Sequence, residues 1–204
     1  MKTDDLRKRF PGGAAVTRRA GTVRGDHDLN PGFMSPPDRL REAAVLVPLV
    51  DRPEGLTVLF TLRTAHLSAH AGQISFPGGR RETYDRSPED TALRETEEEV
   101  GLPRDRVEVL GRLDTYLTRT GFQVIPVVGL VRPPFEVTPD PTEVDEVFEV
   151  PLAVILDPSL PERHSRELMG QPRYFYAFPY EQRYIWGATA GMLVNLRDVL
   201  SGTP

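Results

Sequence analysis

Apolar residues recur along this chain in short runs separated by proline, glycine and charge, the spacing of strands more than of long helices. Residues 43–50 (AAVLVPLV) are almost continuously apolar, as a strand covered on both faces requires; Pro48 predicts a weakened ladder, an edge or a bulge there. Residues 56–63 follow across the turn signal Arg52-Pro53-Glu54-Gly55, so the two runs are expected to pair as a hairpin. A polar loop over 64–72 feeds a short strand at 73–76 and then a Gly78-Gly79 turn. Residues 107–117 alternate as a strand around Gly111, residues 123–131 form another strand with an internal proline, and Pro133-Pro134 breaks the chain. Residues 143–149 read as a strand, Pro151 opens a short helix stopped by Pro158, residues 161–173 read as an arginine-rich loop, and 174–178 as a strand. Two segments carry the helical period. One is 88–100; the other is 187–200, where Ala188, Ala190 and Gly191 suit close packing on a sheet and Met192, Leu193, Leu196 and Leu200 fill a core.

Strands with helices interspersed predict an α/β (α+β) domain over residues 37–204, a mixed sheet sandwiched between helices. Residues 1–36 are poor in periodic apolar positions and rich in breakers. They read as a short helix near 4–10 followed by an extended arm that wraps the body or packs on a second copy, which leaves a homodimer open, or as a loose tail.

At 204 residues, 39% hydrophobic, the chain can bury a sizeable core. Its formal charge of -5 argues against nucleic-acid or acidic-membrane binding, and no apolar run is long enough for a membrane span. With no cysteine, disulfides, zinc thiolates and a thiol nucleophile are excluded, and a cytoplasmic protein is the expectation.

The chemistry concentrates in residues 76–102, FPGGRRETYDRSPEDTALRETEEEVGL. Ser87, Pro88 and Asp90 form a helix start with a capping box, while Gly101 and Pro103 supply the stop. Glu95, Glu98 and Glu99 then share one helix face, where three like charges repel unless a cation sits among them. Ala92, Leu93, Thr96 and Val100 form the packing stripe, and Arg94 can pair with Glu98 one turn on. Alone, such a helix is a candidate divalent-metal site or a solvated, salt-bridged surface. The Gly-Gly turn, the Arg-Glu pair and Gly101 at fixed offsets favour the first.

These residues resemble the Nudix hydrolase box. Gly79, Asp85 and Arg94-Glu95-Thr96-Glu97-Glu98-Glu99-Val100-Gly101-Leu102 follow its order, with Asp85 in place of glutamate, a loop one residue longer, and Thr96 for an aliphatic residue. Residues 59–82 further resemble the coenzyme A pyrophosphatases at Thr61, Arg63, Leu67, His70, Gly72, Gln73, Phe76, Pro77, Gly78 and Gly79, although Ser68 replaces a usual basic residue. Similarity continues at 120–124, 126–129, 147–152 and 186–191.

The resemblance implies a Nudix fold and a hydrolase using Mg²⁺ or Mn²⁺ on a nucleoside diphosphate derivative: coenzyme A or acyl-CoA first, ADP-ribose as an alternative, and a non-catalytic nucleotide binder as a third. Hard cations suit carboxylate oxygens. Glu95 and Glu99 would be metal ligands, Glu98 a third ligand or the base, and Arg94 would orient carboxylates. Gly78 and Gly79 would let backbone approach metal or phosphate. Glu143 is a second candidate base or a plain loop carboxylate. Arg63 and His70 would contact substrate or, for His70, shape its loop; Arg80 and Arg81 would steer phosphates or simply be solvated.

Overall fold

The computed structural model describes residues 1–11, 23–32, 39–66, 71–168 and 170–202. After helix α1 (Thr3–Arg9), strand β1 (Val23–Gly25) leads to β2 (Arg41–Arg52), β3 (Gly55–Arg63), β4 (Ile74–Ser75) and β5 (Gly78–Arg80). Helix α2 (Pro88–Val100) is followed by β6 (Val107–Arg112), β7 (Thr115–Leu117), β8 (Phe122–Val131), β9 (Val144–Pro151) and the single-turn α3 (Leu152–Ile155). The chain closes with β10 (Glu162–Leu168), β11 (Gln171–Tyr180), β12 (Arg183–Trp186) and α4 (Ala188–Ser201).

Strands β1 to β9 form one mixed sheet, parallel between β2 and β8 and antiparallel between β2 and β3, where the expected hairpin is found. Alternation along β2 sends residues to opposite faces. Ala44, Leu46 and Val50 pack with Ala92 and Val100 of α2, whereas Ala43, Val47 and Leu49 belong to the larger core with Leu193 and Leu196 of α4, Ile155 of α3, and Leu6 and Phe10 at the N-terminus. Helices therefore cover both faces, as the sequence predicts. Within residues 1–36, α1 is held by Arg7 on Glu108, and β1 pairs in parallel with β7; residues 12–22 and 33–38 lie outside the described residues.

Three local expectations are corrected and one is narrowed. Pro48 sits in a central strand, at a local gap in the ladder rather than at an edge or in a bulge. Leu46 donates its N–H to Pro77, and Pro48, two residues on, turns its nitrogen to the same side, after the β5 ladder ends at Val45 and before the β3 ladder starts at Leu49. Pro126 lies in the equivalent gap of β8, between the β7 and β6 ladders. The run 107–117 is two strands, separated at Leu113-Asp114 because Asp114 turns inward to Asn195 and Arg24. The Gly78-Gly79 pair is an edge strand on β2, not a turn.

The arginine-rich stretch 161–173 is β10 and the start of β11, in a three-stranded antiparallel sheet with β12. Two of its arginine side chains lie on aromatic rings of the neighbouring strands, on both faces of this sheet. Arg163 lies over Tyr174 and Arg166 over Trp186, at 4.1 and 4.6 Å from the ring centres, so the guanidinium groups find partners without burial.

Candidate active site

Helix α2 forms where the sequence punctuates it. The Ser87 hydroxyl accepts from the Asp90 N–H at 3.3 Å, and Gly101 takes the left-handed conformation, φ 68°, that closes the last turn. The return bond of the capping box is displaced by one residue: the Asp90 carboxylate accepts from the N–H of Arg86.

Asp85 is the hub of the loop before the helix. Buried to 5% exposure, it accepts from the N–H of Glu82, the hydroxyl of Thr91 and, at 2.9 Å on each oxygen, the Arg94 guanidinium. Arg94 and these donors hold the Asp85 carboxyl well below its usual range. Arg94 also donates to the carbonyl of Arg80 and reaches Glu95 at 2.8 Å and Glu98 at 3.0 Å. One guanidinium thus ties the loop, β5 and two helix carboxylates together. Asp85→Asn is expected to lower stability by about 3 kcal/mol, since the amide puts an NH2 donor where a carboxylate oxygen now accepts from buried donors, Arg94 among them. The depressed carboxyl stabilises the fold above its unfolded range near pH 4, and that contribution is lost as pH falls through the folded value. Chemical denaturation of both proteins between pH 3 and 7 measures it: the gap should narrow toward acid, about the bottom of the range.

Glu99 is buried at 5% exposure and accepts the Gly78 N–H at 2.9 Å. Arg63, from the end of β3, reaches Glu99 at 3.4 Å and Glu143 at 3.8 Å. Burial, with Glu143 and Glu95 nearby and only partly offset by Gly78 and Arg63, pushes the Glu99 carboxyl up to about 7. Burial likewise raises Glu95, against Arg94. The Glu95 carboxylate lies directly over Gly79, where a Cβ would meet its oxygen at 2.4 Å.

Glu143 arrives from outside the box by backbone bonding. The Thr138 and Asp140 N–H groups cap the carbonyls of Val100 and Glu99 at the end of α2, and Thr64 donates to the Glu143 carbonyl at 3.0 Å. The loop before β9 is thereby fastened to both α2 and β3.

The fold therefore gathers Glu95, Glu99, Glu143, Arg63, Arg94, Gly78 and Gly79. Glu98 stands outermost, its side chain 59% exposed, and Arg80 contributes its carbonyl while its side chain is exposed. His70 and Ser68 lie outside the described residues. Sequence reasoning gave Asp85 only as a departure from a pattern and missed Thr91 as its partner; a threonine one turn into the helix that follows the Asp85 loop was the available signal.

Among the described residues no three acidic or histidine side chains close into a metal cage. The donor set nevertheless fits a hard divalent cation. All its atoms are carboxylate oxygens, and such a cation would offset both the burial that chiefly raises Glu95 and Glu99 and the smaller repulsion from neighbouring carboxylates. Magnesium commonly takes only one or two carboxylates and completes its shell with water and phosphate.

Residues 40–169 match the family model described as the NUDIX domain. The "uncharacterized Nudix hydrolase NudL" of Photorhabdus laumondii is 43% identical over 167 residues, covering 79% of this chain and 88% of that protein. The protein of the same name from Escherichia coli K12 is 44% identical over 159 residues, covering 76% and 81%. Among solved structures, the Nudix hydrolase RenU of M. smegmatis superposes with a TM-score of 0.52 at 20% identity over 80% of this chain and 88% of that one, a likeness of fold. The residues matched by the family model include the whole of β5 and α2, and the chain belongs to the Nudix family, hydrolases that act on the pyrophosphate bonds of nucleoside diphosphate derivatives.

Proposed function

We propose that this Nudix hydrolase uses Mg²⁺ or Mn²⁺ to cleave the diphosphate of coenzyme A or an acyl-CoA, giving adenosine 3′,5′-bisphosphate and 4′-phosphopantetheine or its acyl form. One observation carries the reading. Three residues of the stretch 59–82, which holds the similarity to coenzyme A pyrophosphatases, line the carboxylate site: Arg63 faces Glu99 and Glu143, Gly78 bonds Glu99, and Gly79 underlies Glu95. A segment that distinguishes one branch of the family is thus where a substrate's diphosphate would lie.

Within this reading Glu95 and Glu99 hold the cation, with Glu98 at the rim as a third ligand or base. The bound cation supplies charge neutralisation on the diphosphate and a lowered pKa for the attacking water. Arg94 fixes Glu95 and Glu98. Arg63 and Arg80 offer donors to phosphate oxygens, offsetting the chain's net negative charge. Glu143 is half-exposed, shares Arg63 with Glu99, and would accept a proton from a water in this cleft.

The test is a panel of coenzyme A, acetyl-CoA, 3′-dephospho-CoA and ADP-ribose with Mg²⁺ and with Mn²⁺, the products identified by mass. Coenzyme A thioesters or free coenzyme A should show the highest kcat/KM, at least about tenfold above ADP-ribose, a gap of some 1.4 kcal/mol in transition-state binding. Faster cleavage of ADP-ribose overturns the assignment.

A further inference from the structure

Arg63 stands out as a cation placed inside the carboxylate site. Its guanidinium lies 3.4 Å from Glu99 and 3.8 Å from Glu143. Its backbone is fixed on both sides as well: its N–H donates to the Gln73 carbonyl, and its carbonyl accepts from the Gly72 N–H. The side chain is only 23% exposed. Glu143 is fastened in turn through its carbonyl to Thr64, the next residue along. A positive charge has therefore been built in against two of the carboxylates that surround the metal position.

We infer that Arg63 is a charge-setting residue that holds the affinity of the Glu95–Glu99 site for a divalent cation low until a diphosphate is present. This rests on the metal assignment made above. A divalent cation on Glu99 must approach Arg63, and like charges a few ångströms apart in a half-solvated cleft repel appreciably. A diphosphate brings oxygens to which the guanidinium can turn, because guanidinium matches phosphate geometry in bidentate fashion. Metal and substrate then favour each other's binding reciprocally, and the carboxylates do not fill with cation in the absence of substrate. A residue that merely contacted phosphate would lie at the cleft rim, free of the metal ligands. A residue that merely oriented Glu99 would strengthen metal binding.

The experiment is Mn²⁺ binding without substrate, followed by electron paramagnetic resonance of the free ion, at about pH 8.5 where protons compete least for the carboxylates. Parent, Arg63→Met, Arg63→Lys and Glu99→Gln are compared, with circular dichroism to confirm folding. Arg63→Met should bind Mn²⁺ about tenfold more tightly than the parent, the effect of removing one nearby positive charge. Arg63→Lys, which keeps the charge and loses the fork, should stay within about twofold of the parent. Glu99→Gln should lose the site. Unchanged or weaker Mn²⁺ binding by a folded Arg63→Met overturns the inference while leaving the metal assignment intact. If Glu99→Gln binds as the parent does, the metal assignment itself fails and the inference falls with it. A lysine variant that binds as tightly as the methionine variant shows that geometry, not charge, sets the affinity, and also overturns it.

Discussion

Glu99→Gln is expected to abolish hydrolysis while making the metal-free protein more stable above neutral pH. The loss of turnover should reach at least about a thousandfold, the scale on which removal of one preorganised group at a developing charge acts. Glutamine keeps the shape and can still accept from the Gly78 N–H, so the fold has no reason to fail. Stability follows from burial. The folded carboxyl is pushed from an ordinary 4.5 up to about 7. Between those values the folded protein holds a proton that the unfolded chain has released, so stability falls as pH rises through the window. Above it the charged, buried carboxylate costs the fold up to about 3 kcal/mol, at about 1.4 kcal/mol per pH unit. Glutamine has no such window. In EDTA at pH 8 the variant should therefore melt several degrees above the parent, since 1 kcal/mol corresponds to roughly 2–4 °C in a chain of this size. Near pH 5 the two should converge. Equal melting temperatures across that range would exclude a strained Glu99, and retained turnover would remove it from the reaction.

What the sequence reveals of this site depends on whether a residue's partner is local. Helix α2 was legible to its ends because Ser87, Pro88 and Gly101 act through neighbours within a turn. The two-sided burial of β2 was legible because an unbroken apolar run has few other uses. Which reading of Pro48 applied could not be chosen from the sequence, because the tolerance of Pro48, like that of Pro126, depends on where other strands begin and end, which no local pattern records. The outer sheet of β10, β11 and β12 was partly missed for a related reason. It is held by arginines lying on aromatic rings across strands, so by composition it looks like a solvated loop. The same divide runs through the site. Glu95 and Glu99 could be named from helical spacing, but the pairing of Arg63 with Glu99 and Glu143 joins β3, α2 and the loop before β9, and only the fold brings these together. Asp85 illustrates the intermediate case. Its position in the loop was evident, yet its depth and its grip on Arg94 follow from the closing of that loop over Thr91.

The adjacent glycines of β5 should give opposite phenotypes when changed to alanine. Gly78 has φ 147°, a conformation that side chains rarely adopt, and a Cβ there would stand 2.5 Å from the Ala44 carbonyl oxygen and the Val45 Cα. Both obstacles are backbone of the central strand β2, paired with β8 on its other side, so they cannot yield without disturbing the sheet. Gly78→Ala is expected to lose about 3 kcal/mol or more, from strain and overpacking together, and to accumulate poorly. Gly79 has no unusual conformation, and the obstacle to its Cβ is the Glu95 carboxylate at 2.4 Å, the movable end of a side chain. Gly79→Ala should therefore fold with a stability change below about 1 kcal/mol. Its Glu95 must swing off the strand and away from the Arg94 contact at 2.8 Å. Displacing a positioned group by about an ångström costs on the order of a hundredfold in rate, and this is the loss expected in kcat. Thermal melting and steady-state kinetics on the two variants separate the cases. Full turnover in Gly79→Ala would mean that Glu95 needs no fixed place against β5, whereas a normally stable Gly78→Ala would mean that β5 does not press on β2 as closely as its register requires.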